Sequence, residues 1–229
     1  MAYIPDPDLD FLADLDDGEL ELLFRLLAYD SKGSPRISQG ITRSREFKQH
    51  GEHYSQYWRL LGEELQRFGG NTLVNVFRRG RGVLYHEILV DVCARFLPAG
   101  SWGRNDPAEK LEHALLTQEL GRHPAARGGG EDLQAVCARM DRDDVNTFLE
   151  NLSPATEGAS RAGRYVAFYA LGRLLARRLG GPAAVGAAAA DLAGPAWRVT
   201  VPAVFLIAIL RLRAGRAEAG SSRRGGQGV

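Results

Sequence analysis

Charged and imidazole side chains interrupt two apolar stretches of the sequence, and they are its first candidates for chemistry. Glu64 lies in one stretch, and His86 and Asp91 lie in the next. A histidine and two carboxylates can serve in general acid–base catalysis if the fold brings them within hydrogen-bond reach of a substrate. An enzyme with a site near these three residues is therefore one of three functions that the sequence leaves open.

Two other histidines have a spacing that metal sites use. His50 and His53 are three residues apart, and on a helix this spacing puts both imidazole rings on one face. Glu87 or Asp91 would have to supply a further ligand from a distant part of the chain. Residues 86–87 begin like the zinc-protease motif, but the second histidine of that motif is missing. We expect no metal site and no cofactor.

The two cysteines, Cys93 and Cys137, fall on the apolar faces of predicted helices. This position favours buried thiols over nucleophiles. Two cysteines are too few for a disulfide scaffold, so they suit a reducing compartment. The first ten residues lack the basic and apolar regions of a secretory signal. We therefore expect a cytoplasmic protein.

The chain is nearly neutral overall, but its charges are unevenly distributed along the sequence. Residues 1–30 hold nine acidic residues and one basic residue, whereas residues 158–229 hold eleven basic and two acidic residues. Either the two ends attract each other, or the basic end faces an anionic partner such as a phospholipid surface. The arginines and glycines of residues 78–82 have no recognisable nucleic-acid-binding fold around them, so nucleic acid is not an expected partner.

An uncharged apolar run, residues 199–210, lies between arginines near the C-terminus. It is too short to span a bilayer, which takes about 20 residues. It is either the central core element of a helical domain or an interfacial segment that associates with the inner membrane. The second interpretation predicts that deleting residues 196–229 releases the protein from membranes and leaves residues 1–157 folded. The side chains that would contact an anionic surface are Arg173, Arg177, Arg178, Arg211 and Arg213.

Helical periodicity dominates the sequence, and no stretch alternates as a strand would. Asp16 followed by Glu19 is a capping-box-like helix start. Apolar pairs then recur every four residues from Leu84 to Leu97, where Pro98 ends the helix. These patterns predict an all-α protein, a bundle of eight or nine helices.

The composition divides the chain into four predicted regions. We expect a small acidic helical hairpin at residues 1–35 and a central helical domain at residues 36–157. An apolar, basic helical segment at residues 158–213 would pack on the central domain. Residues 214–229 are rich in Gly, Ser and Arg and read as a disordered tail.

Two long blocks of the sequence resemble the YaaW-like proteins of bacteria. Residues 43–97 contain R-S-R-E-F-K, Y-W-R-L-L-G-E-E-L-Q-R-F-G-G-N-T and G-V-L-Y-H-E-I-L-V-D-V-C, and residues 194–212 read G-P-A-W-R-V-T-V-P-A-V-F-L-I-A-I-L-R-L. The start, residues 6–12, resembles the short N-terminal domain of that family. The family is grouped with the ubiquinol–cytochrome c chaperone superfamily, whose members assist assembly of a respiratory complex.

The resemblance implies a non-enzymatic, chaperone-like or assembly-factor-like protein with a protein client, such as a subunit of a membrane complex. A peripheral membrane protein that acts through its basic, apolar C-terminal segment is the alternative. One hypothesis is that Arg198 pairs with Glu64 or Asp91 inside the bundle; the rival is that these residues line a binding groove. The groove candidates carried by the matching blocks are Trp58, Glu64, Phe68, Gly69, Gly70, Asn71, Tyr85, Asp91 and Arg198.

Overall fold

A computed structural model describes residues 3–30, 33–36, 39–70, 83–121, 132–152 and 198–215. Within these ranges the fold is all-α, as the sequence predicts, and no strand is present beyond one isolated bridge. Residues 158–197 of the predicted basic segment and residues 216–229 of the predicted tail lie outside the described residues, whereas residues 214–215 of that tail are helical. The described residues form eight α-helices: α1 (Asp17–Ala28), α2 (Arg45–His50), α3 (Trp58–Gly70), α4 (Tyr85–Phe96), α5 (Ala108–Leu120), α6 (Leu133–Arg139), α7 (Arg142–Glu150) and α8 (198–215).

The starts of α1 and α5 can be compared with the caps that the local sequence predicts. The Asp16 carboxylate accepts a hydrogen bond from the Glu19 backbone N–H at 2.8 Å, which is the predicted cap of α1. The sequence predicts a second helix start with Asp106 as the cap and Pro107 as the first helical residue. Helix α5 instead begins at Ala108 with Pro107 at its N-cap, and the carboxylate of Asp106 accepts from the backbone N–H of Gly103. It therefore closes the preceding turn.

The predicted histidine pair is separated by a helix end. Helix α2 stops at His50, because Gly51 follows with a positive φ of 58°. His53 lies beyond this turn, where its ring faces the Asp17 carboxylate at 3.3 Å. The two imidazoles therefore do not share one helix face. Among the described residues, no three His, Cys, Asp or Glu side chains form a group that could hold a metal ion.

Helix α8 is the centre of the hydrophobic core. Every residue from 203 to 210 is buried, and so are Val199 and Thr200. The Phe205 ring meets the ring of Phe96 in α4 at 5.2 Å and that of Phe148 in α7 at 5.8 Å between centroids. A helix that is apolar on all sides must be surrounded, and here other helices of the chain surround it. Of the two interpretations left open by the sequence, the core element is the one the structure shows.

This burial corrects the interfacial interpretation of residues 199–212. The apolar side chains that would enter a bilayer surface are covered by protein. Deleting residues 196–229 would remove the central helix, so residues 1–157 would not stay folded as that interpretation requires. Of the helices that the structure describes, none has the length and apolar character needed to cross a membrane.

Helices α3 and α4 approach closely at Gly69. A Cβ atom at this position would lie 2.4 Å from Cδ1 of Ile88 and 2.8 Å from Cγ2 of Val83. Only a glycine allows this separation of the two helices. The sequence predicts that Gly69 and Gly70 end a helix; both are helical, and residues 71–82, which would test that end, lie outside the described residues. The close contact with α4 is a second reason for glycine that the sequence does not reveal.

The N-terminal region joins the same core as the helices that follow it. Its first turn is a short 3-10 helix, Asp10–Asp14, followed directly by α1. The chain then turns back through a bridge between Tyr29 and Pro35. Its fully buried leucines belong to one cluster with the side chains of α3, α4, α5 and α8; they are Leu9, Leu12, Leu20, Leu23 and Leu27.

Truncating the central aromatic of α8 tests this arrangement. We expect Phe205→Ala to lower the free energy of unfolding by about 3–5 kcal/mol, because it leaves a cavity between α4, α7 and α8. The matched control is Leu84→Ala at an exposed apolar position, which should cost under about 1 kcal/mol. Urea unfolding followed by circular dichroism measures both. Equal costs would show that α8 is not the centre of the core.

Candidate functional site

The first described residues, which form neither helix nor strand before the chain turns, lie against the helical body. We call residues 3–8 the N-terminal segment. The side-chain amide of Gln66 in α3 makes two hydrogen bonds with the main chain of Ile4 in this segment. The amide oxygen accepts from the Ile4 N–H at 3.0 Å, and the amide nitrogen donates to the Ile4 carbonyl at 2.8 Å. Such a pair of hydrogen bonds recognises extended backbone whatever the side chain.

The carboxylate of Asp6 caps a helix 79 residues away in the sequence. Its Oδ2 atom accepts from the backbone N–H of Tyr85, the first residue of α4, at 2.6 Å. The residue at the α4 N-cap, Leu84, has no side chain that can do this. Gln66 donates to the same carboxylate oxygen at 3.3 Å. Asp6 is therefore a buried carboxylate whose partners are a helix N-terminus and an amide.

The aromatic ring of Tyr3 fits into a gap on α3. It meets the Trp58 ring edge-on at 5.7 Å between centroids. A Cβ atom at Gly62 would lie 2.7 Å from the Tyr3 ring, so a glycine within α3 makes room for it. Burial, with the nearby charges of Asp10 and Asp6, raises the pKa of Tyr3 to about 12. The hydroxyl is buried and has no hydrogen-bond partner in the part of the chain that the structure describes.

Arg211 of α8 joins the N-terminal segment to the rest of the fold. Its Nε donates to the Glu112 carboxylate of α5 at 2.8 Å, and its Nη2 donates to the backbone carbonyl of Asp8. Its guanidinium also lies over the Phe11 ring, 4.3 Å from the centroid. The Tyr85 hydroxyl donates to the other oxygen of Glu112 at 2.7 Å. Four parts of the chain therefore meet at one buried ion pair.

The electrostatics of this pair follow from its burial and its hydrogen bonds. Burial raises the pKa of Glu112, while the charge and hydrogen bond of Arg211 and the hydroxyl of Tyr85 oppose that rise. For Arg211, burial acts to lower the pKa, but the attraction of Glu112 outweighs it and the net shift is upward. Burial also raises the pKa of Tyr85, and the Glu112 charge adds to this. Tyr85 is therefore a neutral donor to the Glu112 carboxylate.

The three residues proposed for acid–base chemistry have separate surroundings. Glu64 is buried; it pairs with Arg67 and accepts from the Gly40 N–H at 3.3 Å. His86 lies with its Nε2 atom 2.9 Å from the carbonyl oxygen of Asp106. Asp91 is exposed on α4. The sequence suggested that Glu64, His86 and Asp91 lie around one site, and the described structure does not join them in one hydrogen-bonded set.

The predicted pairing of Arg198 is wrong, but the predicted kind of contact exists. Arg198 is exposed at the first described residue of α8, whereas Glu64 has Arg67 as its partner. The arginine that ties the last segment to the middle of the chain is Arg211, with Glu112 as its acid. It lies at the other end of α8.

Two arginines predicted to face an anionic surface are occupied inside the protein. Arg211 is held by Glu112, and Arg213 donates to the backbone carbonyls of Cys137 and Met140 at 2.9 and 2.6 Å. These carbonyls end α6, where a cation is favoured. The membrane role predicted for both side chains is therefore corrected. The other three candidates, Arg173, Arg177 and Arg178, lie outside the described residues.

The remaining groove candidates divide between the core and the N-terminal segment. Phe68 and Gly69 pack in the core between α3 and α4. Trp58 and Tyr85 contact the N-terminal segment. Gly70 is the last described residue of α3, and Asn71 lies outside the described residues.

Sequence reasoning missed Asp6, Gln66 and Glu112. Glu112 had a detectable signal, because it lies within the apolar stripe of α5 beside Leu111 and Leu115. An acid in such a stripe needs a buried partner. Asp6 and Gln66 carry no such signal, since their partners are more than 55 residues away in the sequence.

Comparisons with known proteins now add to this geometry. Residues 3–37 match a family model described as a domain of unknown function, DUF3944. A UPF0174 protein of Helicobacter pylori (strain J99) is 33% identical, with 95% of each chain covered. The UPF0174 protein YaaW of Escherichia coli (strain K12) is 34% identical, covering 92% of this chain and 96% of the relative. This chain belongs to the UPF0174 family.

Membership of the UPF0174 family confirms the YaaW-like resemblance of the two sequence blocks. A shorter UPF0174 protein of Helicobacter pylori (strain 26695) is 32% identical over 77% of this chain. No solved structure matches the chain. The DUF3944 match encloses the N-terminal segment, the 3-10 helix and α1, so this part of the UPF0174 chain is the part that supplies Asp6 and Asp8.

Removing one partner of the buried ion pair tests its role. We expect Arg211→Met to cost about 3 kcal/mol near pH 8, because Glu112 is left charged and buried. The unpaired Glu112 then has a folded-state pKa above its unfolded value, so the variant is most stable at low pH. Its stability falls as the pH rises through the folded-state pKa, and the cost near pH 5 is smaller. Urea unfolding at the two pH values measures this.

The double variant Glu112→Gln/Arg211→Met is the control for this prediction. It removes both charges, so it should recover much of the lost stability and show little of the added pH dependence. A double variant no more stable than Arg211→Met would contradict the ion-pair account.

The reactivity of the thiols is a further test of the site's surroundings. Burial raises the pKa of Cys93 to about 12 and that of Cys137 to about 11, the latter in spite of the nearby Arg213 charge. Both thiols are fully buried. We expect neither to react with a disulfide reagent at neutral pH until urea unfolds the chain. Rapid labelling of the native protein, located by mass spectrometry of Cys→Ser variants, would contradict this.

Proposed function

We propose that this chain is a non-enzymatic, assembly-factor-like protein that binds a protein client. The observation that carries the proposal is the way in which the helical body holds the N-terminal segment. Gln66 hydrogen-bonds to the main chain of Ile4, and the N-terminus of α4 donates to the Asp6 carboxylate. Arg211 donates to the backbone carbonyl of Asp8. Such contacts are the ones that peptide-binding proteins use for extended ligands.

The reactive side chains of the interior support a binding role. Glu112, Tyr85 and Arg211 are engaged with one another and hold α4, α5 and α8 together. Cys93 and Cys137 are buried thiols with raised pKa values. Each of these groups has a structural role that accounts for its position.

The class of client follows from the resemblance to the ubiquinol–cytochrome c chaperone superfamily. On that resemblance we propose a subunit of a membrane complex as the client, met before or during its assembly. The protein would then act in the cytoplasm, at the face of the inner membrane where such subunits are inserted.

Co-purification of the intact chain tests this function. We expect a tagged, full-length protein, produced at its native level and purified in mild detergent, to retain one client in near-stoichiometric amount. The matched control is Phe205→Ala, whose weakened fold should lose that client. General chaperones bound to both proteins are discounted. Mass spectrometry with quantification identifies what is retained.

Two results would contradict the proposal. If the protein retains no client but sediments with vesicles that contain phosphatidylglycerol, its function is that of a peripheral membrane protein. If neither a client nor vesicles are retained, the binding role itself is wrong.

A further inference from the structure

We propose that the groove occupied by the N-terminal segment is the client site, and that this segment is a self-ligand that the client displaces. The groove is formed by Trp58, Gly62 and Gln66 of α3, the N-terminus of α4, and Arg211 of α8. Its occupant is a peptide that forms neither helix nor strand and has an aromatic residue three positions before an aspartate. This inference rests on the proposed function and names its site.

The recognition groups all belong to the helical body. Gln66 accepts and donates one main-chain hydrogen bond at Ile4, which any residue type can match. The gap at Gly62 takes an aromatic ring, here that of Tyr3. The backbone N–H of Tyr85 takes a carboxylate three residues later in the ligand. Any peptide with this spacing that adopts the same backbone conformation can make the same contacts.

The N-terminal segment has the character of a peptide ligand. Residues 3–6 form neither helix nor strand, and residues 7–9 form the turn that leads into the 3-10 helix. Pro5 and Pro7 are exposed, and each restricts the backbone and removes a donor that a helix would need. A separate peptide with the same sequence therefore loses little conformational freedom when it binds.

The side chain at position 3 of the self-ligand indicates which residue a client needs in order to bind more tightly. The Tyr3 hydroxyl is buried, and among the described residues it has no hydrogen-bond partner. Burying such a group weakens binding. A phenylalanine in its place would fill the gap without this cost, so a client with the pattern Phe-x-x-Asp can displace the segment.

Peptide binding to the full-length chain tests the inference. The probe is a fluorescein-labelled peptide of residues 1–12, MAYIPDPDLDFL, and fluorescence anisotropy reports its binding. In the wild-type chain the tethered segment competes at an effective concentration in the millimolar range, so the probe binds weakly. Asp6→Ala loosens the tethered segment, and we expect the probe to bind this variant at least about tenfold more tightly. The matched control, Asp14→Ala, removes an exposed acid of the same region and should behave as wild type.

Variants of the peptide test its specificity. The Tyr3→Phe peptide should bind the Asp6→Ala chain more tightly than the probe does, and the Asp6→Asn peptide should bind it at least about tenfold more weakly. If Asp6→Ala fails to unfold cooperatively, Tyr3→Ala replaces it, because it loosens the segment from its other end. Equal affinity of the probe for wild type and for the folded loosened variant overturns the inference.

Two further results separate this inference from the proposed function. Gly62→Leu fills the aromatic gap, so it should abolish retention of the client found by co-purification. If that client is retained equally by wild type and Gly62→Leu, the groove is not its site, although the binding function stands. A dimer of the wild-type chain in light scattering that the probe peptide dissociates would assign the groove to a second copy and overturn the inference as well.

Discussion

The rest of this fold depends on the need to cover a helix that is apolar on every side. From residue 199 to residue 210, α8 offers water no polar face. Burial of each large apolar side chain contributes roughly 1.5–3 kcal/mol, so a helix of this kind is stable only when other elements surround it. Here α4, α5, α6 and α7 do so, through contacts such as those of Phe205 with Phe96 and Phe148.

Two arginines of α8, Arg211 and Arg213, follow its buried apolar run, and both are only partly exposed. Both guanidinium groups turn back into the protein: Arg213 caps α6, and Arg211 meets Glu112. A buried pair of this kind adds little net stability, because desolvation offsets the attraction. Through Arg211 it joins Glu112 of α5 and the backbone carbonyl of Asp8 to α8.

Much of the fold can be predicted from local patterns, and the site much less so. The cap at Asp16, the proline start of α5 and the apolar repeat of α4 all act within a few residues, so the sequence displays them. The contact between Arg211 and Glu112 joins residues 99 apart, and that between Asp6 and Tyr85 joins residues 79 apart. No periodicity encodes such distances. For this reason the sequence suggested a membrane contact for Arg211. In sequence, an arginine beside an apolar run looks the same whether protein or lipid covers that run.

The glycine at position 62 connects the fold to the proposed groove. A glycine within a helix costs up to about 1 kcal/mol relative to alanine, and α3 carries this cost at a position where an alanine Cβ would meet the Tyr3 ring. Helix stability alone therefore does not explain the residue. The surface around Gly62 offers three features that suit a bound peptide. They are a gap for an aromatic ring, an amide that hydrogen-bonds to main-chain groups, and a helix N-terminus that donates to a carboxylate. The tethered segment fills that surface with an imperfect ligand, and this keeps the apolar gap covered while leaving it open to competition.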